Sequence, residues 1–166
     1  MLRLINALEM PREYVIEYKY SYQEEIESQL VPLIDKDYEE YAFLVRYILL
    51  YYLVDDTNPT YILGDVSIKH LFLNPNQNEG NIGYEIRKTE RGKGYGNLIL
   101  SLALDECAKM DMDKVSISCV QTNTRSEKVI LKNGGEFDLE WYDKQTNEMV
   151  NKYWINLEKH KVKKLI

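Results

Sequence analysis

The chain is poor in the residues that carry most metal and redox chemistry. Its 166 residues include only two cysteines, Cys107 and Cys119, and two histidines, His70 and His160. No Cys/His cluster has metal-ligand spacing, which excludes a structural zinc site and leaves no metal to expect. Both cysteines lie among apolar residues, one in a helical pattern and one in a strand pattern. They read as buried free thiols rather than as a disulfide or redox pair. No run approaches the ~18 apolar residues of a membrane span. The N-terminal MLRLINALEMPREY has too short an apolar core for a secretory signal. A cytoplasmic protein without membrane contact is therefore expected. Positive charge is scarce as well: 21 Lys and Arg against 27 Asp and Glu leave a net charge of −6. That argues against a general nucleic-acid binder, whose footprint is a broad basic surface. An acidic balance is compatible with a cationic substrate such as an amine.

What the chain does have is an ordinary globular composition, 45% hydrophobic and 29% charged. Its length suits one domain over residues 1–166, large enough to fold without a disulfide or metal. LRLINA reads as an opening strand. Pro11 suits the first turn of a helix in which Tyr14, Val15, Tyr18, Tyr22 and Ile26 recur at helical spacing. Asp35 or Asp37 could cap a second helix carrying Tyr38, Tyr41, Ala42 and Val45 on one face. YYLVDD and YILGDVSIKHLFL read as strands, with a bulge at Gly64 in the second. NPNQNEGN, from Asn74 to Asn81, reads as a long flexible turn. NIGYEIRK alternates as a strand, with Ile82, Tyr84 and Ile86 on one face and Gly83, Glu85 and Arg87 on the other. A helix follows from Gly96 to Met110, with Leu100, Ala103, Leu104 and Cys107 as its apolar stripe. KVSISCV is a strand, and TNTRSEKVILKNGG is a short helix with Asn123 or Thr124 near its N-cap and Gly134 as its stop. Two further strands, GEFDLEWYD and EMVNKYWINLE, flank the turn KQTN. The order β-α-α-β-β-β-α-β-α-β-β implies a parallel pair at the central β-α-β passage and antiparallel hairpins at the ends. The fold class is α/β with a mixed sheet and helices on both faces.

The residues with chemical content cluster at RGKGYG, between a strand and a helix. A helix mouth offers unsatisfied N–H donors and partial positive charge, and glycines leave those donors unobstructed. Arg91 and Lys93 add full charges, which makes an anion site suited to phosphate. The P-loop pattern fails because no Ser or Thr follows Lys93. The dinucleotide pattern fails because the glycines fall at 92, 94 and 96. R-x-x-G-x-G is satisfied by Arg91, Gly94 and Gly96.

That last pattern is the pyrophosphate motif of the GNAT superfamily of acyl-CoA-dependent N-acetyltransferases, which the chain resembles well beyond the loop. GYEIRKTERGKGYGNLILSLALDECAK is similar to the family's fourth strand, phosphate loop and following helix. VSISCVQTNTRSEKVILKNGGEF is similar to its fifth strand and next helix, in the form usual in one uncharacterised bacterial branch, and KYWINL is similar to that branch's closing strand. The resemblance implies a GNAT fold: a central mixed, mostly antiparallel seven-stranded sheet with one parallel, splayed strand pair. It implies acetyl-CoA as acyl donor, with no metal, and direct attack by a primary amine of a small molecule or peptide.

By the same resemblance, backbone groups of Ile86, Arg87 and Lys88 meet the pantetheine arm and the thioester. Arg91, Gly92, Lys93, Gly94, Tyr95, Gly96 and Asn97 take the pyrophosphate. Asn123 and Ser126 bond the pantetheine region from the far side. Direct attack needs a base for the amine, a donor for the oxyanion and a proton for the leaving thiolate. Glu85 is the candidate base, with Asp65 its acidic rival. Many relatives place a tyrosine general acid where this chain has Ile130, so Tyr84 or Tyr153 is the substitute to consider. A non-catalytic acyl-CoA-binding or regulatory module is the alternative that Ile130 raises, and a nucleotide or phosphate binder of another class is a third. Oligomeric state stays open, a homodimer through the C-terminal strands being common among such relatives.

Overall fold

The computed structural model of the chain describes residues 1–20, 48–70 and 80–162. Strand β1 (Leu2–Asn6) leads through a short 3-10 turn into α1 (Arg12–Tyr20). Strands β2 (Ile48–Asp55), β3 (Gly64–Lys69) and β4 (Ile82–Ile86) follow, then α2 (Tyr95–Lys109), β5 (Lys114–Val120) and α3 (Thr124–Lys132). The β6 (Glu136–Asp143) and β7 (Glu148–Asn156) hairpin and a short α4 (Glu158–Val162) complete the described chain. The expected second helix, and Tyr22 and Ile26 of the first, lie outside the described residues.

The strands form one seven-stranded sheet in the order β1-β2-β3-β4-β5-β7-β6. Every neighbouring pair is antiparallel except β4 and β5, which run parallel because α2 carries the chain across between them. The expected mixed sheet with one parallel pair is thus the observed one. Gly64 is not a bulge: it keeps regular register with Leu53 and Ile86. A Cβ there would stand 2.5 Å from the Glu85 carbonyl oxygen, so close strand approach selects the glycine. The register shift lies instead in β6, between Phe137 and Leu139.

The helix stripe read from periodicity is the buried face of α2. Leu100, Ala103, Leu104 and Cys107 are fully enclosed and pack with Val66, Ile68, Ile117 and Ile130. Burying each large aliphatic contributes ~1.5–3 kcal/mol, so this face fixes α2 firmly on the sheet. A second, smaller core joins Ile5, Met10, Tyr18, Tyr52, Val54 and Ile62, which seats α1 on the opposite face. The two helices therefore cover opposite faces of the sheet, α2 over its centre and α1 over β1 and β2. Both cysteines are free and buried, and burial pushes the Cys107 thiol up to about 12.

Candidate active site: a split sheet with an anion cradle

β4 and β5 share one register pair, Ile82 with Ile117. Beyond it both strands run on, β4 to Ile86 and β5 to Val120, without pairing, so the sheet opens into a V. Which backbone groups face that V follows from strand alternation. The Arg87 N–H bonds the Leu63 carbonyl at 2.9 Å and the Asn81 carbonyl accepts from Lys69 N–H at 2.7 Å, both on the β3 side. Alternate residues share a side, so Gly83 and Glu85 also turn to β3, while Tyr84 and Ile86 turn their polar groups toward the V. Arg87 belongs to the other side altogether: its carbonyl accepts from Glu90 N–H at 2.8 Å, and its side chain points away from the opening.

The glycine-rich turn sits where β4 ends. Gly92 and Gly94 hold φ of +83° and +88°, a left-handed conformation that a Cβ would strain, and Gly94 caps α2. A Cβ at either would meet nothing within 4 Å, so the turn faces open space. Among the described residues the amides of 92–96 meet no protein acceptor, whereas Asn97 and Leu98 N–H both bond the Gly94 carbonyl. Donors without a protein acceptor at a helix mouth are what a phosphate requires. The two cations of the turn rest on acids. Arg91 gives Nη2 to Glu85 at 2.6 Å and Nε to the Ile86 carbonyl at 3.1 Å. Lys93 bonds Glu90 at 2.8 Å, which holds the Glu90 carboxyl below its ordinary value. Asn97 is turned elsewhere: its Oδ1 accepts from Asn133 Nδ2 at 3.0 Å, tying α2 to α3.

Across the V, Asn123 caps α3, its Oδ1 accepting from Ser126 N–H at 3.1 Å. Tyr84 reaches over from β4 and shares a hydrogen bond with Ser126 Oγ at 3.1 Å, so one side chain joins the two lips. Burial raises the Tyr84 phenol above its ordinary value and keeps it protonated. Ile130 is fully buried, and Gly135 packs so closely that a Cβ would stand 2.4 Å from Ile130 Cγ2. The position can release no proton. Tyr153 donates to Glu127 at 2.6 Å, and burial first and this bond second push it up to about 12.

On the α1 face, Tyr52, Asp65 and Glu85 stand side by side across β2, β3 and β4. The hydroxyl of Tyr18 donates to Asp65 at 2.8 Å. Arg87 is 3% exposed, lies between the rings of Tyr18 and Tyr61, and grips Glu17 with two bonds of 2.8 and 2.7 Å. It thereby locks α1 beside the candidate base. Sequence reasoning missed this clamp because Glu17 looks like one more exposed helix acid. It missed Asn81 too, whose burial overturns the reading of Asn74–Asn81 as flexible up to its last residue. Among the described residues no three His, Cys, Asp or Glu side chains gather as a metal site, and no helix is long and apolar enough to cross a membrane.

A mixed, mostly antiparallel seven-stranded sheet split at its parallel pair, with helices packed on it, is the architecture of the GNAT fold. The acetyltransferase (GNAT) domain family matches residues 10–136, and the chain belongs to that family. It is an acyltransferase that moves acetyl groups to amines. No curated protein matches the chain in sequence. Among solved structures, a chimera of the Vibrio cholerae spermidine N-acetyltransferase SpeG with hSSAT is 15% identical with a TM-score of 0.70, covering 96% of this chain and 97% of its own. RimL, a ribosomal L7/L12 alpha-N-protein acetyltransferase solved with coenzyme A, is 18% identical with a TM-score of 0.66, covering 93% and 92%. A phosphinothricin N-acetyltransferase-like protein is 16% identical with a TM-score of 0.66, covering 95% and 99%. At these identities the likeness is one of fold.

Proposed function

We propose that the V between β4 and β5 binds acetyl-CoA, with its pyrophosphate on residues 91–96, and that a primary amine of a small molecule or peptide is acetylated at the lip of β4. The observation that carries this reading is the row of amides at 92–96 that meet no protein acceptor among the described residues, lying where β4 runs on past its one register pair with β5. The residues fit the group: the left-handed glycines shape a turn with no described atom crowding it, and both cations are exposed enough to change partners. When bound, acetyl-CoA supplies an activated acyl group and a thiolate as leaving group.

The chain's own residues then have distinct tasks. Ile86 N–H, turned to the V, is the donor for negative charge on the carbonyl oxygen. Glu85 takes the proton of the attacking amine. For that it must leave Arg91, and Arg91 is free to exchange the carboxylate for a phosphate oxygen when the cradle is filled. Tyr84, protonated and oriented by Ser126, gives a proton to the departing sulfur. The row of Tyr52, Asp65 and Glu85 under Tyr18 supports an acceptor that arrives as a cation. The fold neighbours that act on spermidine and on a protein α-amine support amine acceptors of either size. Incubating the protein with acetyl-CoA and a panel of primary amines, and reading free thiol, tests the reading. Thiol release with at least one amine is expected. CoA binding without thiol release across a broad panel would overturn it.

A further inference from the structure

A sheet that splits needs something to set where it splits and at what angle. A single register pair joins β4 to β5, so the closed end of the V rests on the residues just before it. Asn81 occupies that place at 2% exposure. Its N–H bonds the Ser116 carbonyl at 2.6 Å, and its Oδ1 accepts from Ser116 N–H at 2.7 Å and Ser116 Oγ at 3.2 Å. Toward β3 its Nδ2 donates to the Lys69 carbonyl at 3.0 Å, and its own carbonyl accepts from Lys69 N–H at 2.7 Å. One amide side chain thus uses its acceptor on β5 and its donor on β3. Gly80 lets this happen: a Cβ there would stand 2.7 Å from Ile117 Cα and 2.9 Å from the Ser116 carbonyl oxygen.

We propose that Asn81 is a positioning residue for the cofactor: it fixes the angle at which β4 leaves β5, and so the width of the V where pantetheine lies. The inference rests on the cofactor reading given above. The geometry makes it consequential. From Asn81 to Ile86 the strand runs ~17 Å at ~3.4 Å per residue, so a turn of ~5° at Asn81 moves Ile86 by ~1.5 Å. A displacement of that size separates reacting groups enough to matter. The amides of the anion cradle are held chiefly by α2 and its core, and only Arg91 ties the cradle to β4, through Glu85 and the Ile86 carbonyl, so this joint bears on it less.

That difference supplies the test. Binding of CoA, and of ADP as a probe with the pyrophosphate but no pantetheine, is measured by calorimetry for wild type, Asn81→Ala and Asn81→Asp. Thermal melting is recorded for each. Asn81→Ala removes both ties, and CoA affinity is expected to fall about thirtyfold with ADP affinity changed less than twofold. Asn81→Asp keeps the acceptor for Ser116 but sets a carboxylate oxygen against the Lys69 carbonyl. A selective CoA loss of about fivefold is expected, and this variant carries the test if the alanine variant melts below the assay temperature. Equal weakening of CoA and ADP, or no weakening of CoA in either folded variant, overturns the positioning role. A wild type that binds neither probe overturns the cofactor reading with it.

Discussion

At the closed end of the β4–β5 split, Asn81 is 2% exposed and its side-chain donor and acceptor both have partners. At the mouth, Arg91 and Glu85 are 41% and 52% exposed and meet through one 2.6 Å ion pair. Buried hydrogen bonds between neutral groups are costly to leave unmade, so the closed end has one arrangement. An exposed ion pair is worth ~0–1 kcal/mol, so the mouth can rearrange at little cost. The contrast separates geometry from chemistry. Along the split, the part that must stay still is buried and neutral, and the parts that must change partners are charged and wet.

The largest expected effect breaks the comparison on its chemical side. Glu85→Gln removes the proposed base and also frees Arg91. Turnover at saturating acetyl-CoA and amine should fall by about 10²- to 10⁴-fold, the usual worth of a general base. CoA affinity should hold or improve, because Arg91 no longer has a competing carboxylate. Steady-state rates with a calorimetric titration check both parts. Near-wild-type turnover would remove Glu85 from the mechanism and pass the role to Asp65.

The next effect compares one substitution at both ends. Gly80→Ala forces a Cβ against the β5 backbone, where nothing flexible can yield, and should cost about 2–3 kcal/mol of stability. Gly94→Ala meets no atom and strains only its left-handed backbone, for about 1–2 kcal/mol. Denaturant titration should rank them in that order. CoA affinity at a temperature where both are folded should suffer in Gly94→Ala, because the new methyl shades the amides of the turn. A Gly94→Ala protein less stable than Gly80→Ala would mean that the mouth, not the joint, carries the strain.

The same contrast explains what could be read from the sequence. The turn was legible because its demands are local: Arg91, Gly94 and Gly96 lie within one short stretch, and unobstructed amides need glycine nearby. The α2 stripe and the order of strands were legible because periodicity of burial is local as well. Asn81 was not, since its partners Lys69 and Ser116 lie 12 and 35 positions away. Composition around it, rich in Asn and Gly, signals a loop with equal force whether the last residue is buried or free. Arg87 looked like a strand residue offering its backbone. Only the arrival of α1 from 70 positions away shows that its side chain is a buried clamp.

That clamp offers the smallest and sharpest test, because it sets a second Arg–Glu pair beside the first. Arg87 is buried between two tyrosine rings, while its partner Glu17 is 54% exposed. The hydrogen bonds from Arg87, and then its charge, outweigh burial and hold the Glu17 carboxyl below its ordinary value. A carboxylate depressed in the folded state adds stability above its unfolded pKa of ~4.3 and loses it as pH falls through the lower folded value. Solvent screening on the exposed partner keeps the contribution under about 1 kcal/mol. Melting temperatures of wild type and Glu17→Gln should therefore differ near neutral pH and converge as pH drops below about 4. Near neutral pH, Glu85→Gln should show a smaller difference, because neither member of that pair is buried. If the Glu85 variant showed the larger loss near neutral pH, the mouth would be a structural bond like the clamp. Arg91 could not then trade Glu85 for phosphate as readily as the proposed mechanism needs.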